Sequence, residues 1–483
     1  MNNSFFCTVI LSVATLCPAQ DFQPQIPKVW DDSEVAVFET PLAQRDRSPR
    51  YMTGKEYYAL RVRPIYRTYP AYATGREPKD YRESLRQKEP EVVFDPSKLR
   101  TKEDWIQAGK LVFESDVSFA PAPKEVVPPE VWNLPISKEG VIPTFFASYV
   151  IRKKGVVELG RRSCASCHTR VMPDGTLLEG AQGMVRLFGS TAGMTPERLR
   201  DLQDALWARV GNPWVQSKDS FRELVTIDWY AKLLQASRNG VFPRQGTSLT
   251  HPVHAPSLIG ILDIRFLDAT GLVRHRSIGD LMRYAVINSG LDMLADYGDF
   301  QPSQHTSSVA AEDGTRYSDE QLYAMALYIG SLQPPPNPNR VDDRVRRGQR
   351  IFGQQGCAGC HTPPLYTNNK LTPAIGFSVP SDLLRSGDVL NVSVGTDPTL
   401  ALKTRRGTGF YKVPSLRGVW YRNAFGHGGW AETLEEWFDP ERLKSNYEPK
   451  GFHMGPGPIK GHEFGLRLSS KDRLDLIAFL KTL

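Results

Sequence analysis

The sequence has few cysteines and no long apolar run. Six cysteines occur in 483 residues, and those beyond the first twenty residues all lie in two short motifs, which leaves none for structural disulfides. Beyond the same point no apolar stretch approaches the roughly 20 residues of a membrane-spanning helix. The formal charge is only +7, from 60 basic and 53 acidic residues, and no nucleic-acid-binding motif accompanies it. We therefore predict a protein without transmembrane segment or nucleic-acid partner.

The first twenty residues have the pattern of a secretory signal. Residues 5–16 form an apolar run too short to span a bilayer, and Cys17-Pro18-Ala19-Gln20 supplies a cleavage region. No Lys or Arg precedes the run. We expect residues 1–20 to be removed and the product to be exported, to the periplasm or the cell exterior.

Two motifs of one pattern stand nearly two hundred residues apart. They are Cys164-Ala165-Ser166-Cys167-His168 and Cys357-Ala358-Gly359-Cys360-His361. In a helical turn residues i and i+3 point the same way, so both thiols can bond to one porphyrin edge while the next imidazole ligates the iron. Zinc ribbons keep their cysteine pairs about 15 to 20 residues apart, and a redox dithiol or disulfide needs no histidine after it. We predict two covalent haem c groups, attached at Cys164, Cys167, Cys357 and Cys360, with His168 and His361 as iron ligands.

The two motifs lie in halves that repeat one another. Pro256-Ser257-Leu258-Ile259-Gly260-Ile261 matches Pro414-Ser415-Leu416-Arg417-Gly418-Val419. A short helix precedes each motif, at Trp105 to Phe113 and at Gly348 to Phe352, and each half ends with a helix capped by Ser318 or Ser469. The Pro-rich stretch from Pro334 to Asn339 cannot continue a helix and separates the halves.

These boundaries give the expected organisation. The fold class is mainly α, with two tandem cytochrome c-like haem domains and an irregular N-terminal extension. The ranges are a signal peptide at 1–20, the extension at 21–100, a first haem domain at 101–333 with an insertion near 114–160, a linker at 334–340 and a second haem domain at 341–483. In the first domain we expect a helix from Pro196, capped by Thr195 and stopped by Gly211. We expect a second helix that starts near Ser220, with Glu223 in a capping box, and that carries Leu224, Ile227, Trp229 and Leu233.

The motifs together resemble the bacterial di-haem cytochrome c peroxidase superfamily, whose architecture MauG-type enzymes and di-haem rubber oxygenases share. The likeness covers roughly residues 100–483. It is most specific from Arg347 to Glu436, where the second Pro-Ser-Leu loop is followed by Phe425-Gly426-His427-Gly428-Gly429 and Thr433-Leu434-Glu435-Glu436. The resemblance implies that one haem is the reactive centre and the other transfers electrons.

Two features of the peroxidases are missing. Their Trp between the haems falls in a stretch that here reads Phe266-Leu267-Asp268-Ala269-Thr270-Gly271, without Trp. Their acidic residue in the reactive pocket should fall near Asn288 to Tyr297, which holds no Glu, so Asp292 and Asp296 are the candidate substitutes. Peroxide chemistry of the usual kind is therefore in question, and the catalytic residues are unknown.

The ligand on the other face of each iron decides the function, since a strong sixth ligand makes an electron carrier and an open face binds peroxide or dioxygen. For the second haem we favour His462, because Lys460-Gly461-His462-Glu463-Phe464-Gly465 resembles a rubber-oxygenase-like tail with a distal histidine; Met454 is the alternative. His427 matches the pocket histidine of the family. For the first haem we favour an open or water-filled face, although His251, His254, His275, His305 and Met293 remain as ligand candidates. His275, between Arg274 and Arg276, could instead bind propionates.

Two functions follow. The favoured one is a periplasmic di-haem oxidoreductase, peroxidase-like or oxygenase-like, whose first haem reacts with peroxide, dioxygen or an oxidisable substrate and whose second haem transfers electrons. The alternative is a di-haem cytochrome that only carries electrons. In both, the partner is a small cytochrome, a cupredoxin or a small-molecule electron donor.

Overall fold

The computed structural model describes residues 22–124, 135–183, 190–306 and 314–483. The expected signal peptide and part of the insertion lie outside these residues. No helix in the described ranges is long and apolar enough to cross a membrane. The α-helices in these ranges are α1 (Asp32–Val35), α2 (Gly54–Ala59), α3 (Tyr81–Arg86), α4 (Lys102–Glu114), α5 (Cys164–Cys167), α6 (Pro196–Val210), α7 (Lys218–Leu224), α8 (Ile227–Ala236), α9 (Ile278–Asn288), α10 (Asp319–Ser331), α11 (Asp343–Gln354), α12 (Ser381–Arg385), α13 (Thr399–Leu402), α14 (Leu434–Trp437) and α15 (Ser470–Leu480).

The strands are short and lie mostly in hairpins. They are β1 (Arg61–Val62), β2 (Thr68–Pro70), β3 (Ser118–Pro121), β4 (Ser148–Lys153), β5 (Val156–Arg161), β6 (Thr169–Val171), β7 (Leu177–Glu179), β8 (Val241–Phe242), β9 (Val253–His254), β10 (Phe266–Leu267), β11 (Val273–Arg274), β12 (Thr315–Arg316), β13 (Leu371–Pro373) and β14 (Phe410–Lys412). The largest sheet in the described ranges is antiparallel with strand order β2-β4-β5-β3. The other strands form two-stranded pairs.

Each half is built on a crossed pair of helices. In the first half α4 packs on α10, and a Cβ on Gly109 would clash with the Ala324 carbonyl. In the second half α11 packs on α15, and a Cβ on Gly348 would clash with the Asp475 carbonyl. Glycine lets the backbones touch at both crossings. The predicted duplication thus extends to the packing of helices far apart in sequence.

Most predicted helix ends agree with the structure. Thr195 caps α6 and Gly211 ends it, while Ser318 and Gln321 form the capping box of α10. Ser469 caps α15. The prediction of one helix from Ser220 was wrong, because the side chains that accept the helix-start N–H groups belong to Ser217 and Thr226, which begin α7 and α8 separately.

The N-terminal extension is more ordered than the predicted irregular segment. Its β2 pairs with β4 of the insertion, and its β1 pairs in parallel with β12 just before α10. Trp30, Phe38 and Tyr57 are buried in the same apolar cluster as α4 and α10. The extension is therefore part of the first half's core.

A buried ion network fastens the two halves together. Arg406 of the second half forms ion pairs with Glu39 of the extension and Asp292 of the first half, and it donates a hydrogen bond of 2.6 Å to Tyr51. Burial favours the neutral acid, but Arg406 and Arg405 outweigh it and lower the pKa of Asp292. The positive and negative charges of this network neutralise one another, as buried charges must. Because the network joins residues of both halves, the two halves share one interior.

Candidate active site: one cavity that reaches both CxxCH motifs

The two motifs adopt similar tight turns. Cys164–Cys167 is a single helical turn capped by Ser163, and Cys357–Gly359 is a 3₁₀ turn. The His168 N–H donates to the Cys164 carbonyl at 3.1 Å, and the His361 N–H donates to the Cys357 carbonyl at 2.8 Å. These turns bring both sulfurs and the following imidazole of each motif to one cavity.

All four cysteines of the motifs are unpaired by disulfides. Burial raises the pKa of Cys164 to about 12 and that of Cys357 to about 11. A reactive redox thiol is an accessible thiolate of lowered pKa, and these buried thiols lack that character.

Each proximal histidine is held by the repeated proline loop. Nδ1 of His168 donates to the Pro256 carbonyl at 3.0 Å, and Nδ1 of His361 lies 3.1 Å from the Pro414 carbonyl. Burial lowers the pKa of His168 to about 4 and also lowers that of His361, so both rings are neutral. A hydrogen bond at Nδ1 fixes the tautomer and leaves Nε2 free to bind a metal. The duplicated Pro-Ser-Leu sequence therefore has a mechanical role that the sequence pattern alone did not reveal.

One continuous cavity of about 1080 Å³ reaches both motifs. His168 and His361 both line it, together with apolar residues such as Phe145, Leu258, Phe352 and Leu416. Haem is a large, flat, mainly apolar group, and ligand cavities are apolar with a few placed polar groups. The cavity has the character and the size to take two such groups.

Positive side chains project into the cavity. Arg209 and Arg422 line it, burial lowers the pKa of each, and neither pairs with a carboxylate in the described ranges. Burial also lowers the pKa of Lys412, another lining residue, to about 8. Such cations are costly without an anion. The two propionates of each haem would supply that charge, so the lining residues fit the group.

His462 faces His361 across the cavity. Their ring centroids are 6.2 Å apart. A metal–nitrogen bond is about 2 Å long and the ring centre lies about 1 Å further, so imidazoles on opposite sides of one ion have centroids about 6 Å apart. Burial, with the nearby His361, lowers the pKa of His462 to about 4, and its buried Nδ1 has no hydrogen-bond partner in the described ranges. The separation fits one metal ion between two neutral rings.

The backbone at His462 is strained and held in place. His462 has φ of 46°, which is unusual for a residue with a side chain. Its N–H donates to the Val394 carbonyl at 2.6 Å, and the buried Arg442 donates 3.0 Å hydrogen bonds to the carbonyls of Gly461 and His462. Local strain of this kind is kept where the surroundings enforce it. Sequence reasoning missed Arg442, which gave no signal beyond its charge.

The remaining ligand candidates lie elsewhere. Met454 is exposed and does not line the cavity. Among the five candidates of the first half only His254 lines the cavity, and its Nδ1 lies 3.2 Å from its neighbour Ala255 carbonyl. No ring contact joins His254 to His168 in the described part of the chain. The others are engaged separately: His251 near Asp397, His275 on the Ile264 carbonyl, His305 against Phe300, and Met293 in the interior.

The two acidic substitutes also lie away from the cavity. Asp292 belongs to the buried network with Arg406, and Asp296 pairs at the surface with Arg50. The Arg pair beside His275 is likewise structural, because Arg276 binds Asp280 and Glu34. The residues of the expected range that do reach the cavity are Asn288 and Ser289, at the end of α9.

A polar cluster on the cavity wall was not foreseen. Asp268 forms an ion pair of 2.7 Å with Arg244 and accepts a 2.9 Å hydrogen bond from the hydroxyl of Tyr284. All three line the cavity. Asp268 lies in the stretch where a Trp was expected, one residue after Leu267, and has φ of 71°. In the sequence, the only feature noted for this stretch was that it lacks the expected Trp.

His427 lines the same cavity. Its ring stacks on Tyr411 with centroids 3.7 Å apart, and its backbone carbonyl accepts a 3.3 Å hydrogen bond from the His254 N–H. Burial lowers the pKa of His427 to about 3. The residue is neutral and occupies a pocket, as the resemblance implied.

No protein-family model and no curated protein matches the chain. Several solved structures are similar over part of it, including the following three. Hydrazine synthase from Kuenenia stuttgartiensis is 16% identical, over 50% of this chain and 76% of that chain, with a TM-score of 0.29. A MauG-like protein associated with microbial copper homeostasis is 18% identical, over 62% and 92%, with a TM-score of 0.31. A variant of the diheme peroxidase BthA from Burkholderia thailandensis is 18% identical, over 49% and 74%, with a TM-score of 0.26. At TM-scores this low we draw no conclusion from the similarity, and the case for haem rests on this chain's own residues.

Proposed function

We propose that the chain is an exported di-haem c-type oxidoreductase, with peroxide or dioxygen chemistry at the first haem and electron transfer at the second. The haems are attached at Cys164 and Cys167 and at Cys357 and Cys360. His168 and His361 are the proximal ligands, and His462 is the second ligand of the second iron. Bound haem supplies a redox-active iron that takes up a small ligand wherever its sixth position is free.

One asymmetry carries the proposal. His361 has His462 facing it at 6.2 Å between ring centroids. Every histidine of the chain lies in the described ranges, and none of them faces His168 in this way. A second imidazole blocks ligand entry and favours outer-sphere electron transfer, whereas a free face permits inner-sphere chemistry. The exposed position of Met454 supports His462 as the ligand over Met454.

The chain's own residues prepare both sites. The Pro256 and Pro414 carbonyls hold the proximal rings in one tautomer, Arg209 and Arg422 offer charge to propionates, and the apolar lining excludes water. Electrons enter at the second half from a small cytochrome, a cupredoxin or a small-molecule donor. Transfer to the first half is supported by the single cavity that both motifs line.

The test is anaerobic reoxidation of the fully reduced holoprotein by hydrogen peroxide. Reduction of one peroxide to two waters consumes two electrons and two protons. We expect one equivalent to reoxidise both haems, one electron from each, within seconds, or dioxygen to do so if peroxide does not. Haems that stay reduced with both oxidants would overturn the enzyme proposal and leave an electron carrier.

A further inference from the structure

Helix α9 of the first half occupies the place that α14 occupies in the second. Each follows the same path: a proline loop, a 3₁₀ turn at Ile261–Asp263 or Val419–Tyr421, a short antiparallel pairing, and then the helix. The pairing is β10 with β11 in the first half and the bridge between Phe425 and Ala431 in the second. The two helices are therefore equivalent elements of the repeat.

The position of α14 tells which side of the site α9 covers. Trp437 of α14 lies 5.7 Å from His462 between ring centroids, so α14 stands on the side opposite His361. By the repeat, α9 stands on the side opposite His168. Its cavity-lining residues include Leu281 and Ala285, which are apolar, and Tyr284 and Asn288, which are polar. The hydroxyl of Tyr284 is thus placed on the face that the proposed function leaves free.

The hydrogen-bonding state of Tyr284 is fixed by its neighbours. Its hydroxyl proton points to Asp268 at 2.9 Å. Burial favours the neutral acid, but the ion pair with Arg244 outweighs it and lowers the pKa of Asp268, so Asp268 is an anion and only accepts. Burial and the neighbouring Asp268 raise the pKa of Tyr284, so the phenol keeps its proton. A phenol that donates to a fixed anion can still accept through its oxygen. Asn288 supplies one hydrogen bond to that oxygen, which keeps room for one further donor from the cavity.

We propose that Tyr284 is the residue that contacts the ligand at the first haem, as a hydrogen-bond acceptor, and that the site selects small protic ligands of the hydrogen peroxide class over aprotic ones such as dioxygen or carbon monoxide. Asp268, fixed by Arg244, is the positioning residue. The inference rests on the proposed function, because it requires a free face opposite His168. It also accounts for the missing carboxylic acid, since Asp292 and Asp296 lie away from the cavity.

The experiment compares a protic and an aprotic probe on the purified holoprotein. Methylamine binds a ferric site through its nitrogen and keeps N–H protons that can donate to Tyr284, whereas carbon monoxide binds the ferrous site and has no proton to donate. Both are titrated optically in the wild type and in Tyr284→Phe. We expect the methylamine Kd to rise about five- to tenfold, the size of one net hydrogen bond, and the carbon monoxide Kd to change less than about twofold.

Tyr230→Phe is the matched control, because Tyr230 lines the same cavity and only burial affects its pKa. We expect it to bind both probes like the wild type. Equal loss for both probes in Tyr284→Phe would indicate a structural role and overturn the inference, as would an unchanged methylamine Kd or a loss confined to Tyr230→Phe. A wild type that binds neither probe would instead refute the free face, and with it the proposed function.

Discussion

The two halves share a scaffold and differ at one position of it. Both have a crossed helix pair with a glycine at the crossing, a Cys-x-x-Cys-His turn, and a proximal histidine bound to a proline carbonyl. Only the second half also brings a histidine opposite the first, on a strained backbone held by Arg442. In the proposed function, the duplicated core would set where each haem is held, and the loop residue His462 would decide whether the iron carries electrons or reacts.

Removal of a cysteine pair should give the largest effect. In Cys164→Ser with Cys167→Ser we expect loss of the first covalent haem only, and the mirrored change at Cys357 and Cys360 should remove only the second, because each thiol pair forms its own thioether bonds. Mass spectrometry of the denatured chain would show one haem in each variant and two in the wild type. A wild-type chain of unmodified mass would rule out haem c.

Removal of His462 should make the two halves alike. In His462→Ala we expect the second iron to lose its sixth ligand, so the reduced protein binds two carbon monoxide molecules per chain instead of one. Met454→Ala is the control and should still bind one, since Met454 is exposed. If Met454→Ala bound two carbon monoxide molecules and His462→Ala bound only one, Met454 would be the ligand instead of His462.

The helix crossings should respond equally to an added methyl group. Gly109→Ala and Gly348→Ala would each press a Cβ onto a backbone carbonyl of the partner helix, and we expect each to lower the free energy of unfolding by about 3 kcal/mol. Gly353→Ala, on an open face of α11, should raise it by about 0.5 to 1 kcal/mol. Denaturant titration followed by circular dichroism would measure all three. If either Gly109→Ala or Gly348→Ala were as stable as the wild type, the two helix crossings would not be equivalent.

The smallest expected effect is on the pH dependence of stability, and it comes from Asp116, next to strand β3 of the four-stranded sheet. Burial raises the pKa of Asp116 to about 7, against a hydrogen bond from Ser148 that opposes the shift. The folded state therefore holds a proton that the unfolded chain releases above its ordinary pKa of 3.8, so this contribution to stability falls as pH rises from about 4 to 7. We expect Asp116→Asn to match the wild type near pH 4 and to exceed it by about 1 to 2 kcal/mol above pH 7.

Thermal unfolding across that pH range would check the effect of Asp116. Asp475→Asn is the control. The hydrogen bond from Arg347 lowers the pKa of Asp475, so we expect this variant to be less stable than the wild type at neutral pH. A wild type and Asp116→Asn that differ equally at pH 4 and pH 8 would show that the titration of Asp116 is not the cause.

Local sequence signals predicted the repeated parts well. Capping by Thr195 and Ser318, and the match between the two proline loops, depend on residues close in sequence. The pairing of β2 with β4 and the ion network of Arg406 join residues roughly 80 to 370 apart, for which no periodicity gives a signal. The helix start at Ser220 was misjudged because Ser217 offered an equally good cap three residues earlier.

The site divides in the same way. The thiols and proximal histidines follow from spacing, and His462 was chosen from its tail motif. Asp268, Arg244 and Tyr284 could not be predicted, because the cluster is assembled from three separate segments and its ion pair exists only in the folded chain. Of the range in which an acidic residue was expected, only the first two positions, Asn288 and Ser289, reach the cavity, and neither is acidic.

The most direct test of the central asymmetry is the electron paramagnetic resonance spectrum of the oxidised holoprotein, read with carbon monoxide binding after reduction. We predict one low-spin signal from the iron of His361 and His462, one high-spin signal from the iron of His168, and one carbon monoxide molecule per chain. Two low-spin signals with no carbon monoxide adduct would contradict the account.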